Sequence, residues 1–298
     1  MRQKPFRPFI AFAFPLLSIL ALLIIFPFLN ACREETHHDS FREEKEPVLI
    51  RCNEFLIPLF DTPTEQFDYA VSLFQDRQRQ KAALTILINH FPEAKTIKGE
   101  AELELAYMML GNDFRLAEEK DCRRAITRYQ RILSEYADIP SICAKALWNI
   151  AWIHTDLLHE KEQGMTSYWR VVKKYPQETF SRVSPVPWIR LIFRKPLHAA
   201  HPAVHDRKIR WASLSLLEIV RNSDRAAEKR AAFETLYENY RTSPSYGYAL
   251  LEMLASGQSC NHFEGLVQEY IQNNTANCRL NADLQLALDN RRSRLQEK

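Results

Sequence analysis

Hydrophobic and polar positions follow three successive patterns along this chain. From Pro8 to Ala31 an apolar run of 24 residues carries no charge, and a charged stretch opens at Arg33-Glu34-Glu35. Between Arg33 and about residue 63 the pattern is irregular. Its first half, to Glu46, is too polar to bury a core; then come two short apolar patches, Pro47-Val48-Leu49-Ile50 and Phe55-Leu56-Ile57, able to dock as extended chain, with Pro58 and Pro63 excluding helix. From Thr64 apolar residues recur at spacings of three and four, one face of an α-helix.

The helical part is also self-similar. Ala125-Ile126-x-x-Tyr129-x-x-Ile132-Leu133-x-x-Tyr136 aligns with Gly164-Met165-x-x-Tyr168-x-x-Val171-Val172-x-x-Tyr175 at an offset of 39. Phe91, Ala101, Leu105, Ala106 and Tyr107 align with Tyr136, Ala146, Ile150, Ala151 and Trp152 at an offset of 45. Small residues at such positions let helices approach closely, and Phe91-Pro92 and Tyr175-Pro176 stop them. The pattern predicts an all-α solenoid of antiparallel helix pairs, with hairpins over 64–92, 98–137 and 139–176. Pro185, Pro187, Pro196 and Pro202 break it over 177–206. Helices resume over 207–221, 224–240, 244–256, 262–273 and 280–296, the last expected to cap the stack with a polar outer face.

The apolar run at the start has the order of an export signal. Arg2, Lys4 and Arg7 precede it, and Leu29-Asn30-Ala31-Cys32 ends it with a small residue before a cysteine. Those four residues resemble the lipobox of bacterial lipoproteins. The resemblance implies that residues 1–31 are a cleaved lipoprotein signal peptide, that Cys32 is the acylated first residue of the mature chain, and that residues 32–63 form a tether. The competing expectation is an uncleaved membrane-spanning anchor. The run is long enough to cross a hydrocarbon core of about 30 Å, although Pro15 and Pro27 interrupt it.

Composition narrows the function. Of 40 basic residues, Arg2, Lys4 and Arg7 precede Cys32, and none of the 37 acidic ones does, so the remainder is balanced at 37 of each. That balance argues against a nucleic-acid partner, which calls for a basic surplus. Only six glycines are present, which favours helix over sheet and leaves little material for a phosphate-cradling loop. Cys122 and Cys143 flank a helix, about 20 Å apart at 1.5 Å per residue, too far for a disulfide; Cys260 and Cys278 meet the same objection. Buried thiols are expected, with a long-range bridge from Cys52 left open.

No nucleophile elbow or dinucleotide fingerprint occurs, so neither catalytic residues nor a cofactor is expected. His198, His201 and His205 have spacing compatible with zinc, but Pro196 and Pro202 spoil a helical presentation; loop histidines without metal are the expectation. The best functional patch is the basic and aromatic insert, in which Trp188, Arg190, Arg194, Lys195 and Trp211 are candidate partner-binding residues, set against an insert that simply packs its aromatics. Tyr107, Tyr129, Trp152 and Tyr168 could line a groove, but aromatic stripes at helical spacing more often form core.

The helix pairs resemble the tetratricopeptide repeat. Ala106-Tyr107-x-x-Leu110-Gly111 matches the end of its first helix and Ala125-x-x-x-Tyr129 its second; Trp148 and Ala151-Trp152 recur in the next unit, where Gly164 replaces the small alanine. With the lipobox, the chain resembles periplasmic tetratricopeptide lipoproteins of Gram-negative bacteria, in layout the outer-membrane β-barrel assembly lipoprotein family. Arg33 in place of aspartate after the lipid cysteine implies the outer membrane, with the domain facing the periplasm. The resemblance implies a non-enzymatic scaffold that binds envelope proteins through its groove or its insert and the membrane through Cys32. A pilotin-like lipoprotein for a secretin or type IV pilus is the alternative, and a cell-wall hydrolase or small-ligand receptor stands further off.

Overall fold

A two-residue turn joins the first two strands among the described residues. Val48–Cys52 (β1) and Phe55–Leu59 (β2) pair antiparallel, with Ile50 opposite Ile57 and Cys52 opposite Phe55. Asn53 in the turn takes the left-handed conformation, φ 55°, which asparagine tolerates better than most residues. Alternation then sends Ile57 into full burial and leaves Leu49 and Leu56 exposed. This hairpin corrects the expectation of a flexible tether reaching to residue 63. The two apolar patches are strands, and β2 packs on the helix that follows next but one. The computed structural model describes residues 48–111, 113–179, 209–256, 263–275 and 278–296.

Eleven α-helices follow among these residues: α1 Pro63–Ser72, α2 Arg77–His90, α3 Lys95–Met108, α4 Glu119–Glu135, α5 Pro140–Trp152, α6 Lys161–Lys174, α7 Trp211–Asn222, α8 Ala226–Tyr240, α9 Pro244–Ala255, α10 Phe263–Asn273 and α11 Cys278–Gln296. Their starts are written locally. Thr62 accepts a hydrogen bond from the Glu65 amide and donates one to its carboxylate, and Pro63 occupies the first helical position. Asp76 caps α2 through the Arg79 amide, and prolines open α5 and α9.

Successive helices pack on one another, and the odd-numbered ones also pack in a row: α1 on α3, α3 on α5, α5 on α7, α7 on α9, α9 on α11. From α2 to α10, each even-numbered helix rests against the odd-numbered helices on either side of it in sequence. The self-similar residues occupy the seams of this arrangement. Ala101 with Ala146, Ala106 with Ala151, and Tyr129 with Tyr168 are each completely buried.

One local departure explains a sequence difference. A π-turn, Ile153–Leu157, extends α5 and pushes Thr155 against the first turn of α6. A Cβ at Gly164 would come within 2.4 Å of Thr155 Cγ2 and 3.0 Å of the Ala151 carbonyl. The alanine found at the matching position in α4, Ala125, would therefore be crowded here and force Thr155 to shift.

Candidate partner-binding surfaces

Trp211 opens α7 and is 2% exposed. Its ring lies 5.8 Å from that of Trp148, and its amide donates to the Glu178 carbonyl at 3.0 Å. This corrects the expectation that Trp211 offers a binding face: it starts the helix that closes on α5, so hydrophobic burial claims it for the seam. Arg210 beside it holds its guanidinium 5.8 Å from the centre of the Tyr240 ring. Cys32, Trp188, Arg190, Arg194, Lys195, His198, His201 and His205 lie outside the described residues.

Tyr129, Trp152 and Tyr168 are core, and Tyr107 is half-buried beside Trp152, ring centres 6.5 Å apart. Burial raises the Tyr107 hydroxyl to about 12 and pushes Tyr129 and Tyr168 well above the usual phenol value. None of these phenols ionises near neutral pH. The thiols of Cys52, Cys122 and Cys143 are free; Cys143 Sγ donates to the Tyr136 carbonyl at 3.1 Å, and burial raises both Cys122 and Cys143.

Charges inside the odd-numbered row stitch its members together. Lys145 in α5 sits 2.7 Å from Glu100 and 3.6 Å from Glu104, both in α3, with Lys145 and Glu100 almost wholly buried. Burial opposes its charge, yet Glu100 and Glu104 more than offset that, and the ammonium is held above its ordinary value. Further along, Arg221 in α7 bonds Glu218 and reaches Glu252 in α9, each at 3.0 Å. Glu218 is raised to about 7 by burial; Arg221 pulls against the shift and the charge of Asp156 adds to it.

A different electrostatic surface lies on α4. A cleft of about 620 Å³ is lined by Met109, Lys120, Arg123, Arg124, Thr127, Arg128 and Arg131. The carboxylates that pair with these arginines stand outside the lining: Glu119 and Glu160 with Arg123, Asp121 with Arg124, Glu102 with both Arg128 and Arg131, and Glu135 with Arg131. Glu160 also accepts from His154 Nδ1 at 2.6 Å, so Arg123 first and His154 second hold its carboxyl below the usual range. This clasp ties α4 to the π-turn and to the start of α6. The α4 cations are not among the residues expected from sequence to bind a partner. The signal was there, since Lys120, Arg124, Arg128 and Arg131 recur at helical spacing opposite the apolar face of Ala125, Tyr129 and Ile132.

Among the described residues no group of three or more His, Cys, Asp or Glu is arranged to hold a metal ion, and no helix is long and apolar enough to cross a membrane. These residues define a mostly helical protein of sequentially packed helices with one short β-hairpin. Comparison with family models, with curated proteins and with solved structures finds no match for the chain.

Proposed function

We propose that this chain is a non-enzymatic adaptor of the bacterial cell envelope, acylated at Cys32 and held on the periplasmic face of the outer membrane, with its helix pairs stacked as a tetratricopeptide-like solenoid. The observation that carries the reading is the packing order: odd-numbered helices form a continuous row, and each even-numbered helix from α2 to α10 bridges two of them. Stacked repeats bury their apolar faces on neighbours alone and leave a long side surface for partners. The helix pairs α3–α4 and α5–α6 carry the segments that repeat in sequence, and the ion pair from Lys145 to Glu100 joins these two successive pairs. The lipobox supplies the anchor, since two or more acyl chains hold a protein stably on a bilayer.

Crosslinking in intact cells, with an epitope at the C-terminus and mass spectrometry of co-purifying proteins, tests the reading. Recovery of outer-membrane β-barrel assembly subunits or nascent barrels supports it. Recovery of secretin or pilus components moves the chain to a pilotin role, and no partner above background removes the adaptor. In parallel, Cys32→Ser abolishes acyl labelling and leaves the precursor uncut if the anchor is correct.

A further inference from the structure

The α4 cleft carries a row of cations with no carboxylate among its lining side chains. Glu119, Asp121 and Glu135 of α4 itself pair with Arg123, Arg124 and Arg131 at i,i+3 or i,i+4 spacing, and Glu160 and Glu102 pair with Arg123, Arg128 and Arg131, yet none of these carboxylates lines the cleft. Lys120 makes no ion pair among the described residues, and Arg128 Nε is buried without a hydrogen-bond partner although its terminal nitrogen bonds Glu102. Each guanidinium has five N–H donors, so lateral pairing leaves donors for an incoming anion. From Lys120 to Arg131 the row runs roughly 16 Å along α4 at 1.5 Å per residue. Met109 and the aliphatic stems of the arginines give the cleft an apolar lining between the charged heads.

We infer that this cleft docks an acidic peptide segment of a partner protein, its carboxylates taken by Arg124, Arg128 and Arg131 and an apolar side chain seated on Met109. A lone phosphate or a lipid headgroup would engage one or two guanidiniums and leave the rest of the row unused. An extended peptide of about five residues spans the same length at about 3.3 Å per residue and meets cations and apolar stems in turn. Planar guanidinium forks accept carboxylates bidentately, which fixes register as well as supplying attraction. The inference rests on the adaptor reading only in taking the chain to bind another protein.

The probe is a fluorescein-labelled Glu-Leu-Glu-Glu-Leu-Glu peptide, titrated by anisotropy against the full-length chain in detergent at physiological salt. Saturable binding is expected, weakening as salt rises and weakening about tenfold or more in R124E/R131E, with a Lys-Leu peptide of the same length unbound. The milder R124Q/R131Q serves if charge reversal disturbs helicity by circular dichroism. No binding of the acidic peptide overturns the inference. So does unchanged affinity in a natively helical R124E/R131E or R124Q/R131Q, and so does binding confined to phosphatidylglycerol vesicles. Saturable, arginine-dependent peptide binding alongside a failed search for envelope partners upholds the cleft and retires the envelope reading alone.

Discussion

Lys145 Nζ lies 2.7 Å from Glu100 Oε2, and the two residues are 45 positions apart, the same offset that aligns Ala101 with Ala146 and Tyr107 with Trp152. Equivalent positions of successive helix pairs thus touch across the α3–α5 seam with opposite charges. Two lysines or two glutamates there would repel in a medium that screens poorly, so opposite charges are what this seam accommodates.

Removing one member of that pair strands the other. Lys145→Met leaves Glu100 and Glu104 facing each other in the seam, and a loss of about 3–5 kcal/mol is expected, read as a lower urea midpoint. The double variant E100Q/K145M should lose clearly less than the sum of its single changes. Additive losses would show that the pair is not coupled.

Gly164→Ala puts a methyl where Thr155 Cγ2 already stands, 2.4 Å away. A cost of about 1–3 kcal/mol is expected for such overpacking, with Thr155→Ser recovering part of it because the crowding methyl is gone. Recovery should stay incomplete, since the Ala151 carbonyl remains 3.0 Å from the new carbon. Thermal melts of the four proteins check this cycle.

Glu218 makes stability depend on pH in a defined sense. Its folded-state value of about 7 lies above the 4.5 of an ordinary glutamate, chiefly through burial. The folded protein therefore holds the proton more tightly than the unfolded chain. The contribution to stability is complete below about pH 4.5 and is lost as pH rises through 7. Between pH 5 and 8 the wild-type Tm should fall relative to that of E218Q, which cannot titrate at this position. Parallel Tm profiles would rule out titration of Glu218 in that window.

Trp211→Ala should behave as a core deletion. With the ring buried against Trp148, a loss of about 3–5 kcal/mol is expected, together with a loosened α7 in amide exchange. A variant of native stability that lost only a partner would return Trp211 to the binding residues.

Much of the architecture could be read before any coordinates. The apolar period of three to four residues marked the helices, Pro92 and Pro176 marked their stops, and the repeated Tyr129–Tyr168 and Ala106–Ala151 positions marked the shared seams. The hairpin was harder. Val48–Cys52 and Phe55–Leu59 are five residues each, too short for alternation to stand out, and Pro58 excluded helix without pointing to a partner strand. Proline is tolerated there because the sheet has only two strands, so β2 is an edge.

Local patterns thus determined helix identity and the order of helix pairs, because capping, periodicity and proline placement act over a few residues. Tertiary structure alone decided what each polar or aromatic side chain faces. Trp211 went to the interior because α7 closes on α5, the Glu218 carboxyl was pushed up because packing buries it, with Asp156 adding and Arg221 opposing, and the α4 arginines came to line one cleft with Met109 while pairing with carboxylates of α3, of the start of α6 and of α4 itself. Those outcomes depend on contacts between residues distant in sequence, and burial and field at a side chain are properties of such contacts.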